Sequence, residues 1–253
     1  MTEHRIPIDP RNPGLYFACC GLFEIAELLA PGGLAWFEDN GRVFVLATDA
    51  ALPPELPALR EQTPEEQTRF EKLKAIQPLT LTIAGCETRL NWWLNDTETD
   101  KSPLKTWGGQ QTSRRVLSEV LGLLDPVDQV AAMFDYAKYT TTRFGVDGRS
   151  AWEPIDLGYS PNDITRKEAR TYPWVEVLAV VGLQGFRPSG HRRQRDYATW
   201  LVPLPLATAR AASAAPWSGL AAKRFRFEVM SRGQGYKTFA FAKELKDGSQ
   251  SPR

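Results

Sequence analysis

Two apolar segments frame this sequence, Leu15–Ala30 and Pro173–Leu183, and the chain around them is cut into short alternating runs by glycine- and proline-containing turns. In the first segment Leu15, Cys19, Leu22, Phe23, Ala26 and Leu29 recur at the spacing of one helix face. Pro31-Gly32-Gly33 ends that helix, and the prolines of Asp9-Pro10-Arg11-Asn12-Pro13-Gly14 make its approach an extended or turning lead-in. Pro173–Leu183 is apolar all round, which predicts a buried helix, with a buried strand as the alternative.

The short runs pair into hairpins. Leu34–Phe37 and Arg42–Thr48 flank Asn40-Gly41, a strong turn signal. Pro78–Ala84 and Thr88–Leu94 flank Gly85-Cys86-Glu87, and Lys223–Met230 and Tyr236–Ala242 flank Ser231–Gly235. Tyr197–Leu204 reads as a further strand. Shorter helices are expected at Pro64–Ile76, with Thr63 and Glu66 as a capping box, and at Ser113–Leu124, Pro126–Lys138 and Ala207–Ala215. Ala50–Thr63, Asn95–Gln111 and Tyr139–Asn162 read as loop or irregular chain, and Lys246–Arg253 as a frayed tail. Hairpins mixed with helices predict an α+β fold rather than a doubly wound sheet. We expect one large domain over 1–253, with the helical segment 112–138 as the one place for a subdivision and 246–253 as a flexible tail.

Several functional classes find no support. The net charge is +1, so any polyanion site must be a local patch. The three cysteines include no CxxC pair, and Cys19 and Cys20 sit in the apolar helix as small buried hydrophobes, which suits a reducing compartment. Met1–Pro13 lacks the apolar stretch of a secretory signal, and no run is long enough for a membrane helix, so a cytoplasmic location without membrane contact is expected. No GxSxG elbow or Walker A motif occurs. His4 and His191 have no ligand partners at metal-site spacing, and Asp96, Glu98 and Asp100 lack the rest of a calcium loop. The expectation is a chain with no catalytic residues, metal or cofactor.

Three segments have the residue types that grip nucleic acid. The loop after Trp92-Trp93 carries Lys101, Lys105, Trp107 and paired glycines, then Arg114 and Arg115 at a helix start. The second holds Arg143 and Arg149, and the third holds His191, Arg192, Arg193 and Arg195. The glycine-rich turn between the last strands adds Arg232 and Lys237. Cations hold phosphates, aromatic faces stack on bases, and glycine lets backbone amides come close. The plainer reading of each segment is a solvated surface run or a structural loop anchored by an arginine. For Arg114 and Arg115 that reading has Glu119 or another carboxylate neutralise them.

Asp9–Gly14 running into Phe17-Ala18-Cys19-Cys20-Gly21-Leu22-Phe23-Glu24 resembles the opening of a CRISPR-associated family from type I systems of the I-U/I-G subtype. Lys105–Gln111, Arg143–Asp147, Leu157–Asn162 and Val181–Pro188 extend the resemblance over most of the chain. It implies a subunit of the guide-RNA surveillance complex Cascade in antiviral defence, either like the large subunit or with the RRM- or ferredoxin-like core of the repeat-associated proteins. The implied partners are guide RNA, target DNA and other Cascade subunits. In such complexes base pairing reads sequence while protein holds backbone. A guide-processing ribonuclease using His191, or a scaffold touching only protein, is the alternative.

Overall fold

The computed structural model describes residues 1–61, 63–66, 68, 79–90, 104–107, 111–150, 169–190, 193–214, 219–231 and 237–246. Antiparallel sheets and packed helices alternate through them, so the fold is α+β. The first sheet has the order β1 (Thr2–Pro7), β3 (Val43–Thr48), β2 (Leu34–Glu38), β10 (Leu204–Pro205). Ile6, Phe44 and Phe37 are opposite one another on its buried face. Helix α1 (Pro13–Leu29) joins β1 to β2 and packs on that face, with Tyr16 stacked on Phe37 at 5.6 Å.

The apolar segment 173–183 forms a helix, α4 (Pro173–Gly185), and is buried from Pro173 to Leu183. Length decides helix over strand here, since one strand could not keep so many consecutive apolar residues dry on both faces of these small sheets. Helices α1 and α4 cross in close contact. A Cβ on Gly21 would come within 1.8 Å of the Leu178 carbonyl oxygen, and one on Gly182 within 2.1 Å of the Phe17 carbonyl oxygen. Only glycine at both positions lets the two backbones approach so closely.

The second sheet is built on β11 (Arg224–Ser231). On one side β11 pairs with β9 (Gln194–Ala198), and on the other with β12 (Lys237–Phe239) and β13 (Lys243–Leu245). Aromatic rings join it to α1: Tyr197 stacks on Tyr16 at 4.3 Å and on Phe225 at 5.5 Å. Trp200, fully buried, meets Phe37 edge-on at 4.9 Å and donates its indole N–H to the Ala35 carbonyl at 2.7 Å. Truncating such a ring to alanine costs about 3–5 kcal/mol. A third, smaller sheet contains β4 (Ala58–Leu59), β5 (Leu79–Ile83) and β6 (Cys86–Leu90), and a two-stranded ribbon joins β7 (Lys138–Thr140) to β8 (Ala169–Thr171). Further helices are α2 (Ser113–Leu121), α3 (Val130–Asp135) and α5 (Leu206–Ala214).

Three expectations need correction. The polar lead-in contains an edge strand, β1, whose alternation is short and interrupted by proline and so gave little signal. The helix expected over Pro126–Lys138 is only Val130–Asp135, because the chain leaves it to start β7 at Lys138. The strand expected over Tyr197–Leu204 splits: Gln194–Ala198 joins β11, and Leu204–Pro205 caps the edge of β2. In the first sheet β3 lies between β1 and β2, and the strand after α4, β9, pairs with β11 instead of β1. The Thr63 capping box is formed: Thr63 Oγ1 accepts the Glu66 amide, and the Glu66 carboxylate accepts the Thr63 amide.

Candidate nucleic-acid interface

The residues singled out in the sequence fall into an internal group and a surface group. Arg143 and Arg149 belong to the first. Arg143 is only 4% exposed and begins a loop whose amides converge on Glu176 in the first turn of α4, where its charge acts on that carboxylate. Glu176 Oε2 accepts the N–H groups of Phe144 at 2.7 Å and Gly145 at 3.1 Å, and Oε1 accepts that of Val146 at 3.3 Å. Arg149 forms a bidentate pair with the buried Asp147, donates to the Phe134 carbonyl, and stacks 3.5 Å from the Tyr172 ring centroid. Asn12 ties this loop to α1. Its Oδ1 accepts the amides of Gly14 and Gly148, and its Nδ2 donates to Asp147 at 2.7 Å. These charges are consumed inside the fold, as buried ions must be. Arg143 and Arg149 therefore present no free guanidinium to a phosphate.

Trp107, in the loop before α2, is corrected in the same way, and Arg115, in the first turn of α2, has a local partner. Trp107 is 3% exposed and packs edge-on against Phe144 at 5.8 Å, so its face is closed to a base. Arg115 is bonded to Glu119 at 2.8 Å one turn along α2. The bond from Arg115, and then one from Thr142, holds the Glu119 carboxyl below the usual range. The plainer reading thus describes Arg115, and Thr112 caps the helix through the Arg115 amide. Arg114, partly exposed, stands beside it.

The surface group is brought together by the second sheet. Lys237 begins β12 opposite Ser231, and its amide donates to the Thr106 carbonyl at 3.0 Å, which places Lys105 beside it. On the other side of β11, Gln194 lies opposite Glu228, and the Arg193 carbonyl accepts the Val229 amide at 2.9 Å. Lys105, Arg193, Arg195 and Lys237, from three distant parts of the sequence, therefore gather at one end of this sheet. Lys105 Nζ lies over the Trp107 ring at 5.7 Å, so the buried indole positions a cation instead of stacking on a base. Arg195 donates to the Gly190 carbonyl at 3.0 Å, and burial lowers its pKa. Glu228 accepts from Gln194 and lies with it on the face of the sheet opposite to Arg193 and Arg195. None of the four cations forms an ion pair among the described residues. Lys101, His191, Arg192 and Arg232 lie outside the described residues.

Sequence reasoning missed Asn12 and Glu176, the two polar anchors of the interior. Asn12 was legible as an N-cap before Pro13 at the first helical position. Glu176 had only its place in an otherwise apolar helix to betray it. Among the described residues, no group of three histidine, cysteine, aspartate or glutamate side chains is placed to hold a metal ion, and no helix is long and apolar enough to cross a membrane. No protein-family model, curated protein or solved structure matches the chain.

Proposed function

We propose that this protein is a non-catalytic, cytoplasmic subunit of a type I CRISPR guide-RNA surveillance complex, holding the backbone of guide RNA or target DNA beside other Cascade subunits. The observation that carries the reading is the gathering of Lys105, Arg193, Arg195 and Lys237 at one sheet end, with no ion pair to any of the four among the described residues. A solvated surface run needs no such convergence, whereas a polyanion gains from cations held on rigid strands. The resemblance along the sequence supplies the cellular setting.

The test is binding of single-stranded RNA across a range of salt, by the protein alone and in the assembled complex. The combined variant Lys237→Ala, Arg193→Ala should weaken binding and flatten the slope of log affinity against log salt by about 0.7 per lost phosphate contact. An unchanged slope in the folded variant would remove this surface from the interface. RNA recovered intact after incubation is the second expected result, and specific cleavage would replace the proposal with the ribonuclease alternative.

A further inference from the structure

At the other end of β11 the chain forms a cleft of about 590 Å³ lined by Ile8–Arg11, Asn40, Arg42, Lys223, Phe225 and Glu244. That volume is within the range of ligand sites, roughly 300–1,000 Å³. Its three cations face two carboxylates, leaving one positive charge. The pairing inside it is specific. Asp9 forms a bidentate pair with Arg11; burial opposes its ionisation, but the Arg11 hydrogen bonds win and hold it below the usual carboxylate range. Lys223 pairs with Glu244 at 3.2 Å. Arg42, exposed at the end of the Asp39-Asn40-Gly41 turn, forms no ion pair among the described residues, although its charge, after that of Arg11, also helps hold Asp9 ionised. The walls are fixed by backbone bonds from the Ile8 amide to the Arg42 carbonyl and from the Ala242 amide to the Arg11 carbonyl, and by the Tyr197 hydroxyl, which donates to the Pro10 carbonyl.

We propose that this cleft is a second backbone-phosphate site, with Arg42 as its principal cation, and that one extended single strand reaches it from the Lys105, Arg193 and Lys237 end. The inference rests on the function proposed above. A phosphodiester carries one negative charge per linkage, which the cleft's surplus neutralises, while Arg11 and Lys223 stay committed to their carboxylates. The two sites are separated by the 8 residues of β11, roughly 25 Å of strand. Single-strand sites of about 4–16 nucleotides cover such spans.

The full-length protein, Arg42→Ala, Arg42→Lys and the combined Lys237→Ala, Arg193→Ala variant are titrated with single-stranded RNA of about 16 and about 4 nucleotides at several salt concentrations. Circular dichroism confirms that each is folded. With the longer RNA, Arg42→Ala should lose about two- to fivefold in affinity and about 0.7 in salt slope, and Arg42→Lys should keep the slope. The shorter RNA should lose affinity only in the combined variant. Wild-type affinity and slope for Arg42→Ala on the longer RNA would overturn the cleft proposal and leave the first interface standing. Loss in Arg42→Ala with none in the combined variant would support the cleft and overturn the first interface. Absence of RNA binding by every form would overturn both, and an acidic peptide that binds through Arg42 without displacing RNA would overturn the cleft alone.

Discussion

Glu176 Oε2 accepts the amide of Phe144 at 2.7 Å across 32 residues of sequence, fixing the loop of residues 143–149 to the first turn of α4. The carboxylate is fully buried and receives further amides from Gly145 and Val146. It is the internal anchor of a segment whose residue types also suit an RNA contact.

Glu176→Ala should therefore unfold the protein more readily without a specific effect on RNA binding. Several buried amides would lose their acceptor, at about 1–3 kcal/mol for each one left unpaired. Denaturant unfolding measures the loss, and a variant stable to within about 0.5 kcal/mol of wild type would show that another group takes over the amides.

The same residue gives stability a pH dependence. Burial, then the Asp147 carboxylate, push Glu176 up to about 7, against Arg143 and the amides. Unfolded, it titrates near about 4.3. The folded state binds this proton more tightly, so the contribution is full below about 4.3, declines as pH rises, and is gone above about 7, a change of about 4 kcal/mol. Glu176→Gln should remove this part of the profile. An identical profile in that variant would assign the dependence to other groups.

Asn12→Asp tests whether that side chain is only a helix cap. Aspartate caps as well as asparagine, yet here it would set a carboxylate against Asp147 in place of the 2.7 Å amide donor. The expected cost is about 2–4 kcal/mol in thermal or denaturant unfolding. A neutral effect would mean that capping alone accounts for Asn12.

Cys19 and Cys20 are fully buried, and burial raises both thiols well above their ordinary pKa, whereas Cys86 is partly exposed on β6. An aromatic disulfide reagent should label one thiol rapidly in the native protein and all three after denaturation. Rapid native labelling of a second thiol would show that α1 opens locally.

Gly182→Ala should be among the most damaging single-methyl changes in this protein. The new Cβ would meet backbone of α1 at the Phe17 carbonyl, which no rotamer change relieves. Overpacking of this kind costs about 1–3 kcal/mol or more. Arg115→Ala, by contrast, removes an exposed pair worth about 0.3–0.5 kcal/mol and should leave RNA binding unchanged. Equal stability of the two variants would refute the close helix crossing.

The sequence by itself determined α1, the hairpin of β2 and β3, the hairpin of β5 and β6, and the pairing of β11 with β12, because local periodicity and turn residues suffice for elements whose partners are near in sequence. It also marked Lys105, Arg193, Arg195 and Lys237 as cations of one kind. Only the tertiary structure separated these from Arg143, Arg149 and Arg115. An arginine is written identically whether it meets a buried aspartate, a carboxylate one helical turn away, or solvent. Which of these it meets depends on contacts such as Asn12 with Asp147 and Glu176 with Phe144, closed over distances that no local pattern records. The cleft around Arg42 has the same origin: its walls come from the start of the chain, the turn before β3 and the last strands, and they form one surface only once α1 and the second sheet have packed.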